Sequence, residues 1–129
     1  MPLLQFDLIE GRNPDALQTL LDAAHRAVLK SFGVPKRDRY QIVREHKPSH
    51  MMTQDTGLNI ARTQNIVVLQ ITTRPRTTVE KQDFYKTLCE ELQTHCGIAA
   101  TDVIVACVEN TDADWSFGHG RAQFLTGEL

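Results

Sequence analysis

The sequence predicts an α/β fold of two fused βαβ units, forming one four-stranded sheet that carries two helices on one face. Three observations predict it. A strand-like apolar run, a capped amphipathic helix and a second strand follow one another twice along 129 residues. The copies align at a constant offset of 64 residues: Leu20, Leu21, Ala24 and Val28 fall on Phe84, Tyr85, Leu88 and Leu92, Gly33-Val34 on Gly97-Ile98, and Asp38 on Asp102. Each copy, 2–45 and 66–109, is a complete supersecondary unit whose period exceeds that of a solenoid, so residues 1–129 are expected to form a single domain.

The elements follow in order. Leu3 to Ile9 is an apolar run closed by Glu10-Gly11-Arg12, a strand and its exit turn. Asn13 suits a helix N-cap and Pro14 the first helical position; Leu17, Leu20, Leu21, Ala24 and Val28 then share one face until Gly33 stops the helix. Tyr40 to Val43 forms the second strand, and residues 44–65 make a polar connector. The second unit opens with a strand at Ile66 to Ile71. Thr77 and Glu80 then form a capping box, Phe84, Tyr85, Leu88 and Leu92 the apolar face, and Gly97 the stop. Val67, Leu69 and Ile71 alternate with an equally apolar Val68, so both faces of this strand are expected to be buried. The face without helices therefore calls for oligomerisation.

Composition excludes several classes of function. Fourteen Lys and Arg against 16 Asp and Glu give a net charge of −2, which supplies no basic field for nucleic acid or anionic membrane. No apolar run approaches the roughly 18 residues of a membrane span, and the N-terminus lacks a signal-peptide pattern, so a cytoplasmic protein is expected. The odd set Cys89, Cys96 and Cys107 has no CxxC spacing and reads as core thiols. His25, His46, His50, His95 and His119 contain no paired-ligand spacing, so neither a metal nor a cofactor is expected.

Pro2 follows the initiator methionine, and removal of Met1 would expose a secondary amine able to act as catalyst. In the second unit the first strand closes on Arg74-Pro75-Arg76, whose two guanidinium groups share a side if the segment stays extended. Each feature has a structural alternative. Asp38 has its counterpart in Asp102, which suits a turn or strand-entry role common to both units, and Arg37 and Arg39 are potential ion-pair partners for it. Arg74 and Arg76 suit an edge strand blocked by proline. The C-terminal stretch from Trp115 to Leu125, with Phe117 and Phe124, suits either ordinary core or a cover over a pocket or a neighbouring subunit.

An available N-terminal proline, a duplicated βαβ unit and the Arg-Pro-Arg segment together resemble the tautomerase superfamily. Within it, Leu3 to Arg12, Gly33-Val34-Pro35, Arg37 to Gln41, Gln54 to Leu58 and Asp112 to Gly118 are similar to the malonate semialdehyde decarboxylases, over nearly the whole chain. The resemblance implies a homotrimer with an N-terminal proline in a pocket near subunit boundaries. It assigns Pro2 as the amine, Asp38 as its acidic partner, Arg74 and Arg76 as carboxylate binders, and Trp115, Phe117, Phe124 and Leu129 as an apolar wall.

The implied activity is cofactor-independent decarboxylation of a small β-oxo acid. Loss of carbon dioxide leaves an enolate, whose charge a protonated Pro2 would stabilise as it develops, with Asp38 favouring the charged amine. Neutral Pro2 attacking the aldehyde to form an iminium is the second route. The same apparatus suits a tautomerase or hydratase acting on other 2-oxo or unsaturated acids, and the architecture also suits a non-catalytic trimeric binding protein.

Overall fold

The computed structural model describes all residues from Met1 to Leu129. Strand β1 (Leu3–Ile9), helix α1 (Pro14–Phe32) and strand β2 (Tyr40–His46) make the first unit. Strand β3 (Val67–Thr73), helix α2 (Thr78–Cys96) and strand β4 (Val103–Glu109) make the second, and a short helix α3 (Gln123–Thr126) follows. The expected caps are present. Asn13 accepts a hydrogen bond from the Ala16 N–H, Thr77 and Glu80 form a reciprocal capping box, and Gly33 and Gly97 end the two long helices in the left-handed conformation.

The strand order is β2-β1-β3-β4. Each βαβ unit is parallel within itself, while β1 and β3 meet antiparallel at the centre. That central pairing relates the two units by a pseudo-twofold axis and puts both helices on one face. Leu4, Phe6 and Leu8 of β1 and Val67, Leu69 and Ile71 of β3 form a buried cluster with Leu20, Ala24 and Val28 of α1 and Phe84, Leu88 and Leu92 of α2. Burying each large side chain of this set contributes about 1.5–3 kcal/mol. Across the helix pair, Arg26 and Lys30 of α1 hold the buried Glu91 of α2 at 2.9 and 2.6 Å.

Several expectations are corrected. Strand β2 runs three residues beyond Val43, so the connector begins after His46, and β3 is shifted to Val67–Thr73. The β3 face away from both helices stays open in the single chain, with Val68 half-buried and Gln70 exposed, as expected of a face that needs a cover from other copies. Tyr85 is 36% exposed and lies at the edge of the helical layer, where its hydroxyl meets Cys107 Sγ, while Phe84 turns into the core. Cys89, Cys96 and Cys107 are free thiols, but half-buried rather than core.

Candidate active site

The sheet register explains why residues more than seventy positions apart converge. Leu3 pairs with Tyr40 on one side and Thr72 on the other. The residues preceding β1 are therefore flanked by the entry to β2, where Asp38 lies, and by the exit of β3, where Arg74 and Arg76 lie. Pro2 is buried at this junction.

Asp38 is delivered by a fixed turn. Gly33 ends α1, the Asp38 N–H donates to the Pro35 carbonyl at 2.9 Å, and buried His25 donates from Nε2 to the Lys36 carbonyl at 2.8 Å. Its side chain is 12% exposed, and its Oδ2 lies in ion contact with the α-ammonium of Met1. Apart from that amine, no hydrogen-bond partner within the chain reaches this buried oxygen. The alternative ion pairs with Arg37 and Arg39 are not formed; Arg39 instead binds Asp22 at 2.7 Å and Gln41 at 2.7 Å.

The terminal amine has a pKa below its ordinary value of 8.0. Burial is the main cause, Asp38 opposes it by hydrogen bonding and charge, and the charges of Arg76 and then Arg74 lower it further. The sequence argument anticipated the contribution of Asp38 but not that burial outweighs it. The same electrostatics bring both arginines to bear on one amine.

The two guanidinium groups are held differently. Arg76 donates from Nε to Thr73 Oγ1 at 3.1 Å and from Nη1 to the Phe32 carbonyl at 3.5 Å, and its guanidinium carbon stands 4.7 Å above the Phe32 ring. Arg74 donates from Nε to Asp112 Oδ1 at 2.7 Å and stacks 4.1 Å above Phe124. The edge-strand alternative does not describe them, because both lie past the last residue of β3.

The aromatic residues form one stack. Phe117 lies between Tyr40 at 5.8 Å and Trp115 at 5.4 Å, with Phe124 edge-on at 5.5 Å. Trp115 Nε1 donates to Asn110 Oδ1 at 2.6 Å. The buried Gln123 clips the loop shut, accepting from the Phe117 N–H at 2.9 Å and donating to the Gly118 carbonyl at 2.8 Å. A cavity of about 400 Å³ opens between this stack and the N-terminus, with Met1, Asp38, Tyr40, Phe117 and Leu129 on its walls. Trp115 and Phe124 support the wall from behind Phe117 rather than lining the cavity. Tyr40 is a wall residue that the sequence reading, which assigns it only as the start of a strand, misses; its position two residues after Asp38 is the available signal. A larger hollow of about 710 Å³ lies elsewhere, between the connector and the open sheet face, away from the amine; Arg74 and Arg76 line neither hollow.

Two family models, both described as tautomerase enzyme, match residues 2–60 and 38–118. The chain is 58% identical, over the full length of both proteins, to probable tautomerase YrdN of Bacillus subtilis (strain 168). A solved structure of malonate semialdehyde decarboxylase superposes with a TM-score of 0.97 at 54% identity, covering 98% of each chain. A second decarboxylase of that name, inhibited by 3-bromopropiolate, gives 0.94 at 38% identity and covers 98% of this chain and 97% of its own. With its duplicated βαβ architecture and these full-length likenesses, the chain belongs to the tautomerase family of enzymes.

Proposed function

We propose that the protein is a cofactor-independent decarboxylase that converts malonate semialdehyde to acetaldehyde and carbon dioxide, working as a homotrimer with Pro2 as N-terminal residue after removal of Met1. The observation that carries this reading is the buried Asp38 oxygen that faces the terminal amine and takes no other hydrogen bond, with Arg74 and Arg76 acting on the same amine. The likeness to two solved malonate semialdehyde decarboxylases supports the choice of substrate.

In this mechanism Arg76 and Arg74 bind the substrate carboxylate. The protonated Pro2 nitrogen donates to the aldehyde oxygen. The electron pair of the breaking carbon–carbon bond moves into the carbonyl π system, giving an enolate stabilised by that cation, and a proton then returns to carbon to give acetaldehyde. Holding the carboxylate perpendicular to the carbonyl plane aligns the breaking bond with that π system, and Phe117 and Leu129 offer the departing carbon dioxide an apolar surface.

The trimer supplies a cover for the sheet face that lacks helices, where Tyr40, Ile42 and Val108 are exposed. A fused 4-OT solved as a symmetric trimer shares this fold at 22% identity and a TM-score of 0.79. Hydratase chemistry is the second reading, favoured because the solved decarboxylase at 54% identity is described as having hydratase activity as well.

Intact mass of the purified protein, followed on the same sample by carbon dioxide release and acetaldehyde formation from malonate semialdehyde, tests the reading. A mass lacking Met1 together with turnover supports it. A mass lacking Met1 without turnover overturns the decarboxylase assignment.

A further inference from the structure

We propose that Asp112 is a positioning residue that orients Arg74 through its Nε and offsets part of its charge, whereas no carboxylate bonds the Arg76 guanidinium. This deepens the carboxylate-binding reading above and rests on it.

The two arginines divide into unlike environments. Arg76 is held through its side chain only by neutral partners, the Thr73 hydroxyl, the Phe32 carbonyl and the Phe32 ring. Arg74 is held by a carboxylate at 2.7 Å on one edge and by the Phe124 ring on one face. Binding through Nε alone leaves the terminal nitrogens of Arg74 available to a substrate carboxylate, so Asp112 orients the fork without occupying it. Asp112 comes from the short turn Asp112–Asp114, where Asp114 caps the Thr111 N–H and hydroxyl. That capping leaves the Asp112 carboxylate free for Arg74. Arg76 also acts on the terminal amine more strongly than Arg74, while the charges of Glu80 and Asp38 act on Arg76 through space without bonding its guanidinium. Phe124, pinned beneath Arg74, also meets Phe117, so the ion pair links the arginine to the aromatic wall.

The test compares Asp112→Asn with Asp112→Ala in the processed protein. Asparagine keeps an acceptor for Nε but removes the charge, whereas alanine removes both. Malonate serves as the probe, with binding read by the fluorescence of Trp115, the only tryptophan. For a half-exposed pair, Asp112→Asn should tighten malonate binding about two- to fivefold. It should also move the amine-dependent limb of the pH–rate profile to lower pH. Asp112→Ala should weaken binding and lower kcat together, because Arg74 is no longer oriented. In an Arg74→Ala background both effects should vanish.

Asp112→Asn and Asp112→Ala with equal affinities and an unmoved pH limb would overturn the inference while leaving the decarboxylase reading intact. A processed wild-type protein that neither binds malonate nor turns over malonate semialdehyde would overturn both.

Discussion

Asp38 and Asp102 occupy equivalent places in the two halves, each after the same turn, yet Asp102 is bonded by a threonine and Asp38 meets only the terminal amine. The N–H of each donates to the carbonyl three residues earlier, Pro35 or Ala99, at 2.9 Å. Asp102 is 1% exposed and accepts from the Thr63 N–H at 2.7 Å and the Thr63 hydroxyl at 2.5 Å. In the first half the terminal amine stands where the second half supplies Thr63. The two halves thus carry matching carboxylates, one closed by Thr63 and one facing the terminal amine.

The pair predicts opposite phenotypes. Asp102→Asn should lower folding stability by about 1–3 kcal/mol, since it strips charge from a fully buried hydrogen-bonded acceptor, with kcat/KM of the folded fraction unchanged. Asp38→Asn should keep stability within about 1 kcal/mol of wild type but reduce kcat/KM by roughly 10²-fold or more. Urea unfolding and steady-state kinetics on both variants check this; a destabilised Asp38→Asn with normal turnover would return Asp38 to the turn role.

Arg76 should matter more than its charge alone. Arg76→Ala should reduce decarboxylation by about 10²–10³-fold through loss of a preorganised cation. It should also cost about 1 kcal/mol of stability through the lost stacking on Phe32. Arg76→Lys, which keeps charge but loses the bond from Nε to Thr73, should fall between the two. The oligomer mass by light scattering should not change in either variant; its loss would identify a structural arginine.

Much of this architecture was legible in the sequence, for a physical reason. Asn13, Gly33, Thr77, Glu80 and Gly97 act through backbone hydrogen bonds within a few residues, so their chemistry identifies them without tertiary knowledge. The convergence of Pro2, Asp38, Arg74 and Arg76 was legible through family resemblance, whereas its cause, Leu3 pairing with both Tyr40 and Thr72, is a register that local patterning does not encode. The supports of the site escaped for the same reason. His25 beneath the Asp38 turn, Asp112 on Arg74 and Gln123 across the aromatic loop are polar residues with no distinguishing spacing, and only packing shows what each one holds.

Acid should weaken the fold through two carboxylates. Burial tends to raise the Asp7 pKa, but hydrogen bonds from Arg44 and His46 outweigh it and leave the group below its usual 3.8. Glu91 lies below 4.5, chiefly through its bond from Lys30. Because both folded values are depressed, the stability they contribute is present above the unfolded pKa values and lost as pH falls through the folded ones. Urea unfolding should therefore show stability falling below about pH 4.5, and Asp7→Asn should flatten part of that fall. An unchanged acid slope in Asp7→Asn would remove Asp7 from the account.

The pH–rate profile separates the two routes available to the amine. Burial above all, and then the charges of Arg76 and Arg74, hold the Met1 amine below 8.0 despite Asp38; a Pro2 amine freed at the same junction should be pushed in the same direction. If the cation polarises the aldehyde, kcat/KM should fall as pH rises through the pKa of the Pro2 amine, because deprotonation removes the active form. If neutral Pro2 attacks to form an iminium, kcat/KM should instead rise through the same value, and borohydride added during turnover should fix substrate carbon to the N-terminus. Asp38→Asn removes the carboxylate that favours the charged amine, so it should move whichever limb is present to lower pH. A limb that stays in place in that variant would mean that the titrating group is not the amine beside Asp38.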